Sequence, residues 1–173
     1  MARRVAVLVL SALAAGCAYP ISKELRSKAT PNLTFPMVLK NPDAYRGSVV
    51  IWGGHVIQTL NRKDGTEFVV LETPLDSSGM PLEARYSRGR FIARTPEFFD
   101  PEVYCKGARV TIGGEIKAKE ARPLGEIQYT YPVVAIRELY LWDEPRPEWR
   151  CRCYYSWPGP YHGWGWGWGY WWY

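Results

Sequence analysis

A motif that occurs twice sets the strongest limit on how this chain folds. Asn41-Pro42-Asp43-Ala44-Tyr45-Arg46-Gly47, followed by Val50, Trp52, Gly53-Gly54 and Val56, returns as Asp100-Pro101-Glu102-Val103-Tyr104-Cys105-Lys106-Gly107, followed by Val110, Ile112, Gly113-Gly114 and Ile116. The second copy carries one extra residue before its glycine. In each copy Asn41 or Asp100 can accept hydrogen bonds from the free amides of a first turn. Pro42 or Pro101 suits the first helical position, and Asp43 or Glu102 favours the positive end of the turn. Gly47 or Gly107 then admits the left-handed residue that stops it. A single helical turn is thus predicted to deliver the chain into a strand, twice.

The strand of the second copy alternates cleanly. Val110, Ile112, Gly114, Ile116 and Ala118 interleave with Arg109, Thr111, Gly113, Glu115 and Lys117, so one face is predicted to be buried and the other wet. In the first copy Val49 and Ile51 replace Arg109 and Thr111, both faces are apolar, and something must cover the second. The paired glycines fit a coiled or bulged strand of the kind that closes a small barrel. Asp64-Gly65 predicts a hairpin turn between Val56–Leu60 and Thr66–Glu72. Residues 74–81 read as a loop, and 84–94 as a strand interrupted by Gly89. Pro123-Leu124-Gly125 turns the chain into residues 127–131, and Pro132 predicts a kink or edge before 133–142. Five to six strands with one or two short helical turns, one between the third and fourth strands, is the order of a mostly β, OB-like barrel rather than a sandwich.

The N-terminus sets the address. Arg3 and Arg4 precede an apolar run from Val5 to Ala15, too short to span a bilayer, which ends in Leu13-Ala14-Ala15-Gly16-Cys17. Small residues directly before a cysteine resemble the bacterial lipobox, although Leu13 stands one place earlier than usual. Residues 1–16 are therefore expected to be a lipoprotein signal peptide and Cys17 the acylated residue, anchored stably only if it carries two or more acyl chains. Ordinary secretion is the alternative, since Ala12-Leu13-Ala14 also fits a small-x-small cleavage rule. The following residues, 17–36, are polar, carry Pro20, Pro31 and Pro36, and read as a tether with little regular structure. The domain proper is placed at 37–142.

Residues 143–173 form a proline linker and an aromatic tail. Seven of the nine Trp residues lie at or beyond position 149, and Trp164, Trp166 and Trp168 alternate with glycines. Such a stretch has too much glycine entropy and too few aliphatics to make a core. Three readings stay open: the rings sit at the lipid headgroup level, stack on a glycan, or fold back over Val49 and Ile51. Cys151-x-Cys153 is neither a redox Cys-x-x-Cys pair nor a zinc spacing. A disulfide to Cys105 is left open, and Cys105 alone reads as a small buried apolar residue.

Signals of chemistry are sparse. His55 and His162 are the two histidines, and neither belongs to a His-Glu-x-x-His, Gly-x-Ser-x-Gly or phosphate-loop motif. Catalytic residues, a metal site and a cofactor are not expected. The formal charge of +5 falls once Arg3 and Arg4 are removed, and no Lys/Arg run argues for nucleic acid.

Taken together, Tyr45-Arg46-Gly47, Trp52-Gly53-Gly54, Thr73-Pro74-Leu75-Asp76, Gly89-Arg90-Phe91, Phe99 to Tyr104, Val110 to Gly114, Tyr129 to Val133 and Leu141-Trp142 resemble the Slp family of outer-membrane lipoproteins, the starvation-inducible type. The resemblance covers about positions 35–142. It implies a lipid-anchored, periplasm-facing protein of the Gram-negative outer membrane, delivered by the lipoprotein sorting machinery, and Ala18 after the cysteine agrees with that address. The expected role is structural or stress-related and non-enzymatic, with the outer-membrane lipid as partner. The alternative is a module that binds a glycan, such as peptidoglycan or lipopolysaccharide, or a hydrophobic solute, on a platform of Trp52, Trp142 and the tail rings.

Overall fold

The computed structural model describes residues 19–143. It is mostly β. Five strands, β1 (Val49–Arg62), β2 (Gly65–Thr73), β3 (Gly89–Thr95), β4 (Arg109–Leu124) and β5 (Ile127–Leu141), form one sheet that closes into a ring in the order β1-β2-β3-β5-β4. Neighbouring strands run antiparallel except β3 and β5, which are parallel. Two short helices, α1 (Lys23–Lys28) and α2 (Phe35–Lys40), precede the sheet.

The repeated motif organises the ring because its two copies pair with each other. Trp52 stands opposite Ile112, Val50 opposite Gly114 and Gly54 opposite Val110, a local two-fold arrangement. The turns obey the same symmetry. Gly47 donates its N–H to the Ile116 carbonyl at 2.8 Å, and Gly107 donates to the Val56 carbonyl at 2.8 Å. Both glycines lie in the left-handed region, at φ +83° and +89°, where a β-carbon is disfavoured. The second glycine pair member works differently: a Cβ on Gly54 would fall on the Leu71 backbone, and one on Gly114 on the Ala135 carbonyl. Neighbouring strands therefore approach closely there. Register slips beside these positions, between Gly113 and Gly114, Ile116 and Ala118, and Val56 and Gln58, supply the coiling that closes the sheet.

Two local expectations are corrected. The first copy makes a 3-10 helix, Pro42–Tyr45, whereas the second makes only a turn, with the Val103 and Tyr104 N–H groups reaching the Asp100 carbonyl at 3.1 and 3.0 Å. Asp100 Oδ1 also accepts from the Glu102 N–H at 2.8 Å, and that side-chain turn competes with helix. No helix therefore separates the third and fourth strands. Residues 84–94 do not form one strand either: Ala84–Tyr86 is a 3-10 turn, and β3 begins at Gly89, whose φ of +144° breaks any continuation. Pro132 needs no kink. It lies inside β5 opposite Lys119, and the parallel pairing with β3 begins only at Val133, so at Pro132 the strand is an edge on that side, the other of the two expectations.

The inside of the ring is filled. Val50, Trp52, Val56, Phe68, Val70, Phe91, Val110, Ile112, Ile116 and Val134 are buried in one cluster that also takes Phe35 and Val38 from α2. Trp52 lies towards the open end of the β1–β2 hairpin, edge-on to Phe35 at 5.0 Å and to Phe91 at 5.3 Å. Phe68 lies towards the turn of that hairpin and meets Phe99 at 5.7 Å and Tyr104 at 5.5 Å. Aromatic rings thus stop the interior in two places.

The segment before the sheet is not a loose tether. Ile21 is wholly buried and Leu25 nearly so. Ser22 caps α1 by accepting from the Leu25 N–H at 3.1 Å, while its own N–H and hydroxyl donate to the Glu138 carboxylate at 2.7 and 2.6 Å. The Thr30 N–H then donates to the Val49 carbonyl at 2.8 Å. A Cβ on Gly113 would fall on Leu25, so the bare backbone of β4 is the slot that receives α1. The outer face of β1 and β4 is covered by this segment and by residues 74–82, which pack against Gly53 through Leu75 and Pro81. Any share the aromatic tail has in covering Val49 and Ile51 lies outside the described residues.

Candidate functional site

Of the sequence-predicted site residues, Trp52 and Trp142 fall within the described residues. Cys17, Trp164, Trp166 and Trp168 lie outside the described residues. Trp52 is a core residue, 5% exposed and enclosed by Phe35 and Phe91, so its ring is not free to stack on a ligand; that expectation is corrected. The alternating pattern could not reveal this, because Trp52 follows the same parity as Val50. Trp142 is half-buried, and its Nε1 donates to Thr111 Oγ1 at 2.9 Å. His55 sits on β1 with Nε2 2.9 Å from the Leu82 carbonyl. Cys105 is buried and disulfide-bonded, which replaces its reading as a lone apolar residue; its partner lies outside the described residues.

Where the described chain begins and ends, it forms one surface. Tyr19 and Pro20 lie against Gly79, at 2.7 and 3.0 Å from the position its Cβ would take. The Gly79 carbonyl accepts the Thr111 hydroxyl at 2.7 Å, and Thr111 in turn receives Trp142. Tyr140, 42% exposed, stacks edge-on against Trp142 at 4.9 Å. The Arg26 guanidinium covers the Tyr19 ring at 4.6 Å. Spacing along the chain could not disclose this, since the contacts join positions 19, 79, 111 and 142.

A second arrangement escaped sequence reading altogether. On the outer side of β2, Glu67 is 1% exposed. It accepts from Arg62 at 3.1 Å, from Arg94 at 2.8 and 2.7 Å, and from both Nη atoms of Arg122 at 2.8 Å. Glu120 bridges Arg94 and Arg122. Burial alone would raise the Glu67 carboxyl, but the hydrogen bonds from Arg122, Arg94 and Arg62 outweigh it and hold the group at about 2. A groove of about 600 Å³ runs alongside, lined by these residues with Asp64, Thr66 and Pro96. Glu67 has no proton to give or take near neutrality. It serves as a clamp that holds the long β4–β5 hairpin, through Arg122, over β2 and β3. The only signal available beforehand was polar alternation, because Glu67 and Arg94 become neighbours only once β2 and β3 are in register.

A cleft of about 230 Å³ is lined by Trp52 itself together with Leu33, Phe35, Glu72, Leu75 and Arg88 among others. Glu72 is buried there, and burial raises its carboxyl against the opposing effect of Arg88. Both Glu72 oxygens are bound by Arg88. Among the described residues no three of His, Cys, Asp and Glu converge to hold a metal ion, and no helix is long and apolar enough to cross a membrane.

Comparison with known proteins adds what geometry alone does not. The model of a family described as outer membrane lipoprotein Slp matches residues 14–173, a span that includes Cys17. The chain is 31% identical to the outer membrane protein Slp of Escherichia coli (strain K12) over 145 residues, covering 82% of this chain and 76% of that one. It is 30% identical over 116 residues to an uncharacterized lipoprotein, YeaY, of the same organism, covering 67% of this chain and 60% of that one. It is also 32% identical over 104 residues to an uncharacterized protein of Haemophilus influenzae, covering 56% of each.

Proposed function

The chain belongs to the Slp family of outer membrane lipoproteins, and from that premise we propose that it is an OB-type barrel held by acyl chains on Cys17 to the periplasm-facing leaflet of the outer membrane. Its role there is non-enzymatic: a structural, stress-related component of the envelope that acts through its outer surface. The observation that carries this reading is the filled interior. Trp52, Phe35 and Phe91 close it in one place, Phe68, Phe99 and Tyr104 in another, and the buried carboxylates Glu67 and Glu72 are each taken up by arginines. A solute would have no interior to enter, and an acid or base no unpaired buried carboxylate to use.

The test is radiolabelled palmitate incorporation with membrane fractionation. Label in the outer-membrane fraction that disappears in Cys17→Ser supports the anchor. Label that persists in Cys17→Ser, or a mature protein beginning at Ala15 with a bare thiol, refutes it. The glycan-binding alternative retains Trp142 and the tail rings after the loss of Trp52. Co-sedimentation of the unacylated protein with peptidoglycan or lipopolysaccharide, abolished on removing residues 149–173, would displace the structural reading. A deletion strain whose permeability to detergent in stationary phase equals that of its parent would remove the stress role.

A further inference from the structure

The end of the folded body to which Cys17 is attached has a definite composition. We propose that the patch formed by Tyr19, Tyr140 and Trp142, built around the Gly79 turn, is the face that rests on the lipid headgroups. This rests on the Cys17 anchor proposed above and specifies which side of the domain that anchor brings to the membrane.

Chain length makes the first part of the case. Ala18 alone separates Cys17 from Tyr19, and an extended chain spans at most about 3.6 Å per residue, so the backbone of the anchoring cysteine stands within roughly 7 Å of that of Tyr19. Tyr19 is not on a swinging arm. Its neighbours Pro20 and Ile21 are packed against Gly79 and Gly113, and Ser22 is fixed to Glu138 through two hydrogen bonds. A bilayer that holds Cys17 therefore lies next to whatever surrounds Tyr19.

Chemistry makes the second part. Tyr and Trp carry an apolar ring with one polar atom and prefer the level of the headgroups. Tyr140 is 42% exposed, and Trp142 stacks on it while its N–H is anchored on Thr111. Arg26, over the Tyr19 ring, puts a cation within reach of lipid phosphate. Two of the carboxylates nearby are turned to internal duty: Glu138 accepts from Ser22, and Asp76 from the N–H groups of Ser78 and Met80, while Asp143, next to Trp142, is exposed. Ile127 is more exposed, at 60%, but stands thirteen positions earlier on β5, at the far turn of the hairpin, where so short a link cannot bring the membrane.

The full-length protein is tested in Gram-negative cells by placing a photo-crosslinking amino acid at position 140, 19 or 127, in separate variants. Lipids are labelled with radioactive phosphate and the protein separately with radioactive palmitate. After illumination, positions 140 and 19 should yield phosphate-labelled adducts several-fold above position 127. If palmitate-bearing protein gives no more adduct from 140 and 19 than from 127, this face is not the seat and the proposal fails while the anchor stands. Absence of palmitate from all variants and from the parent overturns the anchor itself, and the proposed seat with it.

Discussion

Trp142 donates its indole N–H to Thr111 Oγ1 at 2.9 Å, and Thr111 passes its own hydroxyl hydrogen to the Gly79 carbonyl at 2.7 Å. One hydroxyl on β4 thus ties the last residues of the described chain to the loop that supports its first residues. Thr111 is wholly buried and the Gly79 that accepts from it is buried too, whereas Trp142 is half-buried.

Thr111→Val keeps the shape and removes both bonds. Leaving the Gly79 carbonyl and the Trp142 N–H without that partner should cost about 1–3 kcal/mol. Urea unfolding of the unacylated protein measures it, and a shift within error would mean that water or a rotated neighbour satisfies both groups.

The Glu67 cluster predicts acid sensitivity with a definite sign. The folded carboxyl titrates at about 2 against an ordinary 4.5, so its stabilising contribution is present above 4.5 and is lost as pH falls towards 2. Glu67→Gln should lower stability near pH 7 by about 3 kcal/mol or more, because three guanidinium groups are left without their common anion. The same variant should flatten the stability curve between pH 4.5 and 2. Glu72 has the opposite sign: its raised carboxyl adds stability at low pH that is lost as pH rises through its folded value. Glu72→Gln is therefore expected to cost less at pH 7 than Glu67→Gln, and the reverse order would contradict the assignment.

How much of this was readable beforehand follows the range of the interaction. The hairpin at Asp64-Gly65, the glycine-stopped turns and the alternating strand of the second copy were legible, because turn chemistry and period-two burial act within a few residues. The mutual pairing of the repeats was not, because two strands of like pattern need not be neighbours in a sheet. Trp52 was misjudged because a tryptophan on the inner parity of a strand looks the same whether its end of the ring is open or plugged, and the plug, Phe35, comes from a segment that reads as polar. Ile21 and Leu25 are spaced by four, a helical signal of one turn only, diluted by the polar residues and prolines of 18–36. Glu67 and its arginines were invisible, since they gather from positions 62, 67, 94 and 122 through strand register and through the curl of a long hairpin.

The recognition of residues 19–40 as part of the folded body has a direct consequence. Leu25 is 5% exposed against Gly113, and Leu25→Ala should destabilise the domain by about 2–4 kcal/mol through lost burial and the cavity left behind. Met37, 45% exposed on α2, serves as the reference, and Met37→Ala should change stability by no more than about 0.5 kcal/mol. Equal melting temperatures for Leu25→Ala and Met37→Ala would return this segment to the status of a tether.

The glycines of the repeat should separate into two kinds when each is replaced by alanine. At Gly47 nothing lies within 4 Å of the added Cβ, and the only penalty is the left-handed backbone at φ +83°, about 1–2 kcal/mol. At Gly54 the Cβ would meet the carbonyl of Leu71 and the Cα of Glu72, which are main-chain atoms of a paired strand and cannot rotate aside. Gly54→Ala should therefore cost about 3 kcal/mol or more, at the upper end of overpacking effects, and lower the yield of folded protein. The two-fold relation extends this to the second copy: Gly107→Ala should match Gly47→Ala, and Gly114→Ala should match Gly54→Ala. Urea midpoints for the four variants decide it. A Gly47 variant as damaging as the Gly54 variant would show that the turn before the strand, rather than the close approach of β1 to β2, limits closure of the ring.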